Sequence, residues 1–290
     1  MTYPCIICES SNYTPVFAGK VLHGFTLNQC INCNMVLAFP VSNSAKWHDF
    51  TDFGDYLLLD RQSAETRIAG LSKRMKPTFE YLKHRYANPK VLEFGAGGGF
   101  LSKAAERAGL NIAGIEPSEK LRTYSRKHLG LDNMFESVFD LEGETFDAVL
   151  TYDVLEHLTP CESKAIMKHL ISLMRPGGLL IGQTPNFNSA NIRLFGTKDP
   201  VVCPPSHSCY FTVPTLQKYC EYLGLKKRRL YSTGLSTNSF FRKQKFERSF
   251  LETGRLLPIA VSIRAAFRLL GVAVQPFDLG YQIRFLYKKR

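Results

Sequence analysis

Apolar runs and amphipathic stretches alternate along the middle of the chain, between residues 89 and about 225. The runs predict strands, and the stretches between them, with apolar residues three and four positions apart, predict helices. This alternation indicates a parallel sheet with helices on both faces, which binds ligands at the carboxyl ends of its strands. The predicted strands are 90–94, 111–115, 134–138, 146–151 and 178–184.

Residues 41–88 predict a helical lead-in that packs on this sheet domain. Apolar residues from Leu71 to Tyr86 recur at helical spacing, and we expect the pattern to break near Pro77, because proline disrupts a helix interior. The aromatic stretch at 51–56 before it is expected to overhang a pocket.

Two more strand candidates follow residue 225. The runs 226–232 and 281–287 are apolar or rich in residues that favour strands, and a basic, partly helical insertion at about 233–280 separates them. With these runs the sheet has seven strands, and we assign residues 89–290 to one domain.

The composition is that of a globular protein with one large domain and appendages, since 44% of the 290 residues are hydrophobic and 21% are charged. The first ten residues lack the basic and apolar segments of a secretory signal. The best candidate for a membrane span, 256–274, contains Pro258, Arg264 and Arg268. We therefore expect a cytoplasmic protein without a transmembrane segment, in which this run can still lie on a membrane surface.

The formal net charge of +12 arises entirely in the C-terminal part of the chain. Residues 226–290 contain 15 Lys and Arg against 3 Asp and Glu, a difference of 12, whereas residues 1–225 are balanced. A localised basic region favours an anionic partner, such as a phosphorylated substrate, nucleic acid or an acidic membrane surface. A solvated basic face is the alternative explanation.

Two CxxC pairs lie within the first 40 residues, with 21 residues between them. This spacing predicts a zinc-ribbon-like module at 1–40, in which four thiolates bind one structural zinc ion tetrahedrally. Reduced free cysteines or disulfides are the alternatives. The predicted ligands are Cys5, Cys8, Cys30 and Cys33.

A glycine-rich turn follows the first predicted strand, in the sequence VLEFGAGGGFL at 91–101. Glycines let a ligand approach the backbone at a helix N-terminus. The dinucleotide fingerprint fails in both registers, because Phe100 and Ser102 stand where it requires glycine, and no Gly-Lys-Ser/Thr completes a P-loop. Glu93 inside the strand favours a ligand with a positive ammonium or sulfonium group and disfavours a pyrophosphate.

A second acid, Glu116, ends the next strand at the same expected edge of the sheet. It lies seventeen residues after Gly99, and its carboxylate can accept hydrogen bonds from both hydroxyls of a ribose. Together with FDAVLTYDVLEHL at 146–158 and LMRPGGLLIGQTPN at 173–186, these features resemble the class I S-adenosylmethionine-dependent methyltransferases. The resemblance covers about 89–225 and implies a Rossmann-like sheet with S-adenosylmethionine as cofactor.

The resemblance also implies a set of cofactor-binding residues. An acid and three alternating glycines match the first motif of the family, and a second acid matches its ribose-binding residue. An aspartate after the fourth strand is expected to contact the methionine end of the cofactor. In that order the residues are Glu93, Gly95, Gly97, Gly99, Glu116 and Asp153.

The sequence departs mildly from the family pattern in its first motif. The family more often has aspartate in place of Glu93, and frequently cysteine in place of Ala96. The acid that contacts adenine has two candidates after the third strand, Glu136 and Asp140.

Two histidines are candidates for a catalytic base. Methyl transfer from a sulfonium neutralises charge, so positioning and exclusion of water supply much of the catalysis, but a hydroxyl nucleophile also needs a base. His157 and His207 follow the fourth and fifth strands at the expected ligand edge. Alternatively, Asp153, Glu156 and His157 hold a divalent metal, since quinone-biosynthesis O-methyltransferases show a similar acid-x-x-Glu-His pattern.

The resemblance favours methylation of a hydroxyl group, or of a carbon, on a sugar, glycan precursor or other small molecule. The segment 184–211 is similar to methyltransferases of sugar, glycan and secondary-metabolite pathways. An RNA methyltransferase with a zinc module and a basic tail is the alternative enzyme. An inactive zinc-ribbon adaptor is the alternative from another class.

Overall fold

Eleven strands and six helices make up the regular structure of a computed structural model that describes residues 3–41, 58–235 and 275–290. The strands are β1 (Tyr13–Pro15), β2 (Thr26–Cys30), β3 (Val36–Phe39), β4 (Lys90–Phe94), β5 (Asn111–Ile115), β6 (Met134–Phe135), β7 (Phe146–Tyr152), β8 (Met174–Pro185), β9 (Cys209–Tyr210), β10 (Leu225–Thr233) and β11 (Gln282–Lys289). The helices are α1 (Arg61–Arg85), α2 (Phe100–Arg107), α3 (Glu119–Leu129), α4 (Pro160–Ser172), α5 (Ala190–Phe195) and α6 (Val213–Tyr222).

Seven of the described strands form one sheet, in the order β10-β11-β8-β7-β4-β5-β6. Neighbours from β8 to β6 run parallel, whereas β11 runs antiparallel to both β8 and β10. The prediction of an α/β fold with a mostly parallel seven-stranded sheet is confirmed. The predicted third strand is too long, because the carboxylate of Asp140 accepts the N–H groups of Glu136 and Ser137 and closes a turn there.

The sheet separates two apolar cores, because successive side chains of a strand point to opposite faces. In β4, Leu92 packs into one core and Val91 into the other, and β7 divides Val149 from Leu150 in the same way. Helices α4 and α6 cover the core of Leu92, and α1, α2 and α3 cover that of Val91. The central strands are therefore buried on both faces, which explains their unbroken apolar runs.

Helix α1 is continuous over 25 residues, starting after a side-chain cap at Asp60. The break predicted near Pro77 is wrong. A proline removes one backbone hydrogen bond, but buried Met75 and Phe79 anchor the helix on both sides of it. The first part of the predicted lead-in, including the stretch at 51–56 expected to overhang a pocket, lies outside the described residues.

The N-terminal segment forms a small antiparallel sheet, in the order β1-β2-β3-β9. Its last strand comes from the central domain, since Val36 pairs with Tyr210 and Leu37 pairs with Cys209. Backbone pairing therefore joins the N-terminal segment to the central domain. The domain boundary near residue 40 stays a prediction. The pairing ties the N-terminal segment to the chain directly after His207.

The basic C-terminal region is divided between an edge strand and an undescribed segment. Residues 226–229 are four exposed cations in β10, at one edge of the large sheet. Charged edge strands resist pairing with other chains, so these four cations have a structural explanation. Most of the predicted insertion at 233–280, with seven of the fifteen cations, lies outside the described residues. Within the described part, no helix is long and apolar enough to cross a membrane.

Candidate active site

The glycine turn between β4 and α2 adopts a backbone conformation that favours glycine. Gly95, Gly97 and Gly99 all have left-handed φ values, between 54° and 80°. There is also no room for side chains, because a Cβ atom at Gly95 would overlap Val154, and one at Gly99 would lie 2.7 Å from Leu131 Cδ1. The turn therefore packs directly against the segment that follows β7.

Glu93 is buried at the end of β4, with 5% of its surface exposed. Its carboxylate accepts a hydrogen bond of 2.5 Å from Ser102 Oγ on α2. Burial raises the pKa of Glu93 to about 8, although the Ser102 hydroxyl acts in the opposite direction. A cationic ligand group nearby would favour the charged form, as expected from the sequence.

Glu116 lies over the glycine turn, as its place at the end of β5 predicts. Its Oε2 accepts the N–H of Gly97 and its Oε1 accepts the N–H of Ser118, both at 2.9 Å. Each carboxylate oxygen has two lone pairs and can accept more than one hydrogen bond, as binding to ribose hydroxyls would require. The structure thus brings the glycine turn and the second acid together.

A buried arginine, which no sequence motif marks, connects the ends of β5 and β6. Arg122 donates to the carbonyl oxygens of Glu116 and Pro117, each at 2.7 Å, and forms an ion pair with Glu136 at 2.9 Å. Of the two candidate adenine acids, Glu136 is thus held by Arg122, whereas Asp140 caps its own turn. Both remain candidates.

Asp153 directly follows β7 in a strained conformation, with φ of 56°. Its N–H donates to the carbonyl oxygen of Gln183 at 2.9 Å, and Gln183 Nε2 donates to its carboxylate at 2.8 Å. Gln183 on β8 therefore orients Asp153. The sequence did not reveal this partner, because it lies thirty positions away in the chain.

The two candidate base residues meet at the ligand edge of the sheet. The ring centres of His157 and His207 are 4.7 Å apart in an edge-on arrangement. His157 Nδ1 donates to the carbonyl oxygen of Ser206 at 2.7 Å, and His207 Nδ1 donates to that of Val201 at 2.8 Å. Because a carbonyl only accepts, both neutral rings carry their proton on Nδ1, and each Nε2 keeps its lone pair.

Burial keeps both imidazoles uncharged. It lowers the pKa of His157, and it lowers that of His207 to about 3 with a further contribution from the neighbouring His157. A neutral imidazole nitrogen accepts a proton or binds a metal ion.

Glu156 lies next to the histidine pair. One ligand atom from each of Glu156, His157 and His207 lies within 4.8 Å of the others. Burial and the charge of Asp153 raise the pKa of Glu156 to about 8, and Thr184 Oγ1 donates to its carboxylate at 2.8 Å. The three side chains form a group with the donor types of a divalent-metal site.

The four N-terminal cysteines form a second group of metal-ligand type. All four sulfurs lie within 4.8 Å of one another. Cys5 and Cys33 are 3.3 Å apart and Cys8 and Cys30 are 3.5 Å apart, too far for disulfides. Tetrahedral zinc with bonds of about 2.3 Å needs sulfurs roughly 3.8 Å apart, so the cluster fits such an ion.

Comparisons with known proteins identify the family of the central part of the chain. Residues 63–230, more than half of the chain, match a family model described as "Methyltransferase domain". The ubiquinone biosynthesis O-methyltransferase of Rhizobium etli is 34% identical over 119 residues, which cover 38% of this chain and 47% of that protein. The namesake from Xanthomonas campestris pv. campestris is 35% identical over 125 residues, 40% of this chain and 52% of that protein. The chain thus spans about half the length of the curated relatives it matches.

Solved structures share the fold at lower identity. A SAM-dependent methyltransferase from Archaeoglobus fulgidus is 16% identical with a TM-score of 0.51, covering 83% of this chain and 99% of that chain. A SAM-dependent methyltransferase from Thermotoga maritima is 15% identical with a TM-score of 0.51, covering 86% and 100%. By its family model, with the fold in agreement, the chain belongs to the methyltransferase domain family.

Proposed function

We propose that this protein is an S-adenosylmethionine-dependent methyltransferase that methylates a hydroxyl group of a small molecule. The observation that carries the choice of a hydroxyl is the pair His157 and His207, whose neutral rings lie 4.7 Å apart past the ends of β7 and β8, each held through Nδ1 by a backbone carbonyl. The printed names of the curated relatives, which are O-methyltransferases, support the same reaction.

The cofactor would bind across the glycine turn. When bound, S-adenosylmethionine supplies an electrophilic methyl group on a sulfonium. In this proposal Glu116, which holds the N–H of Gly97 in the turn, also accepts from the ribose hydroxyls. Asp153, oriented by Gln183, would bind the methionine end.

The histidine pair would accept the proton that a hydroxyl loses as it attacks the methyl group. His207 is proposed as the base, and its ring is neutral at physiological pH. Because a pKa of about 3 makes an imidazole a weak proton acceptor, the negative charge that develops on the acceptor oxygen would have to raise this pKa for efficient transfer. His157 would help to orient the hydroxyl.

A divalent metal at the same place is the second candidate mechanism. Its support is the convergence of Glu156, His157 and His207 within 4.8 Å, with Nδ1 of both rings held by backbone carbonyls. Such carbonyl partners commonly orient metal-binding histidines. The sequence predicted a metal site of Asp153, Glu156 and His157, whereas the group found among the described residues contains His207 in place of Asp153. A bound metal would lower the pKa of the acceptor hydroxyl.

The acceptor is proposed only as a hydroxyl-bearing small molecule. The printed names of the relatives refer to ubiquinone biosynthesis, and they give no support to the sugar or glycan substrate expected from the sequence. The predictions of an anionic partner and of an RNA substrate depend on the basic region 226–290. Seven of its cations lie outside the described residues, so both stay predictions.

The cysteine cluster is proposed to bind one structural zinc ion through Cys5, Cys8, Cys30 and Cys33. The support is the approach of all four sulfurs to within 4.8 Å of one another. Because β3 pairs with β9, this ion would also stabilise the chain next to His207.

Replacing Glu116 by Ala should weaken S-adenosylmethionine binding by about 1 to 3 kcal/mol, because charge-assisted hydrogen bonds to the ribose are lost. Glu116→Gln, which keeps an acceptor but loses the charge, should lie between. Titration calorimetry measures both, with Glu80→Ala on α1 as the control, an exposed acid that pairs with Lys83. Unchanged affinity in a folded Glu116→Ala protein would refute the ribose assignment.

Replacing His207 by Ala should lower kcat by roughly 10² to 10⁴-fold, the usual contribution of a general base, while S-adenosylmethionine affinity stays the same. The control is His128→Ala, an exposed histidine stacked on Tyr124. Because the pKa of His207 in the free protein is lowered to about 3, the wild-type kcat/KM should show no loss near pH 6.5 as pH falls. A kcat unaffected by His207→Ala would contradict the base.

Chelation separates the two mechanisms. If His207 acts as the base without a metal, extensive dialysis against EDTA leaves kcat unchanged at constant zinc content. If the metal mechanism is correct, EDTA abolishes turnover and Mg²⁺ or Mn²⁺ restores it.

Purified protein should contain one zinc ion per chain by elemental analysis. Cys5→Ser should lose this ion and lower the melting temperature, because three ligands no longer close the site. Cys161→Ser, at an exposed free cysteine, is the control and should keep the zinc. A metal-free wild type would end the zinc proposal.

A further inference from the structure

A solvent-facing cavity of about 680 Å³ lies between the N-terminal sheet and the chain around α5. None of its described lining residues belongs to the glycine turn, the histidine pair or the cysteine cluster. We propose that this cavity, called here the module cavity, binds a small anionic ligand with an aromatic body, such as a phosphate ester. The proposal does not depend on which methyl acceptor the protein uses.

Two basic side chains from opposite walls of the module cavity bond to neutral partners. Lys20 Nζ donates to Thr197 Oγ1 at 3.1 Å, and Arg193 donates to Asn188 Oδ1 through Nη2 at 2.8 Å and Nε at 3.3 Å. These partners are neutral, so they fix the position of each cation without cancelling its charge.

Acidic side chains are missing from this surface. Among the described lining residues there is no Asp or Glu, and within residues 3–41, 58–235 and 275–290 neither Lys20 nor Arg193 forms an ion pair. Positioned cations without acids attract a phosphate or carboxylate, and an arginine fork binds such groups in two places.

The rest of the lining suits an aromatic body rather than a bare ion. Phe17 and Phe187 form an edge-on pair with ring centres 5.9 Å apart, and Phe195 adds a third ring. Gln29 and Asn34 add polar groups to the lining. The volume falls within the range of about 300 to 1,000 Å³ typical of small-molecule sites.

One buried ring separates the module cavity from the histidine pair. Phe187 in its wall packs against Tyr210 at 5.2 Å, and Tyr210 lies 6.2 Å from His207. Tyr210 is only 2% exposed, so a ligand in the cavity would not contact His207 directly. The module cavity is therefore a separate site that shares one wall with the candidate acceptor site.

Calorimetric titration of the 290-residue chain, as purified, tests the site. Phenyl phosphate should bind saturably with a Kd below ~1 mM, and phenol and inorganic phosphate should each bind at least about tenfold more weakly. Lys20→Gln and Arg193→Gln should each weaken phenyl phosphate binding roughly tenfold, whereas Arg193→Lys should retain most of it. Lys76→Gln, at an exposed lysine on α1, is the matched control and should bind like the wild type.

Three results would overturn the proposal. The first is no saturable binding of phenyl phosphate. The second is binding that Lys20→Gln and Arg193→Gln leave unchanged while both proteins melt at the wild-type temperature. The third is binding to phosphatidylglycerol vesicles that depends on these two cations without any binding of phenyl phosphate, which would assign them to a lipid surface.

Discussion

At the ligand edge of the sheet, the glycine turn after β4 lies so close to Val154 that Gly95 has no room for a side chain. Strands β4 and β7 are parallel neighbours in register, with Phe94 opposite Thr151, so the segments that follow them are in contact. A side chain at Gly95 would overlap Val154 there. This contact fixes Asp153 relative to the glycine turn, and the histidine pair and the proposed cofactor site depend on it.

Local spacing was enough to predict most of the sheet and the cofactor edge. The five central strands, the glycine turn and Glu116 each depend on residues that are close in sequence, or on the rule that parallel strands end at one edge. The expected break at Pro77 does not occur. Local propensity disfavours a proline inside a helix, but the buried face of α1 stabilises the helix on both sides of it. The roles of Arg122 and Gln183 were not predicted, because each bonds to an acid that follows a different strand, Glu136 after β6 and Asp153 after β7, and spacing along the chain does not show such pairs.

The pairing of β3 with β9 shows that the N-terminal segment is attached to the central domain. Four cysteines alone indicate a separate structural module, but the register that joins Val36 to Tyr210 makes it part of the wall behind His207. The same junction forms the module cavity, whose two cations come from the two sides. The pairing of β3 with β9 thereby connects the strands next to the cysteine cluster, the histidine pair and the module cavity, an arrangement that only tertiary pairing reveals.

The central claim is transfer of a methyl group to a small-molecule hydroxyl. The most direct measurement incubates the protein with methyl-labelled S-adenosylmethionine and separate pools of phenols and catechols, sugars, and ribosomal RNA, and identifies the labelled product by mass spectrometry. If the protein methylates a small-molecule hydroxyl, we expect the label on an oxygen atom of a small molecule. Label found only in RNA, or only on nitrogen or carbon atoms, would contradict it.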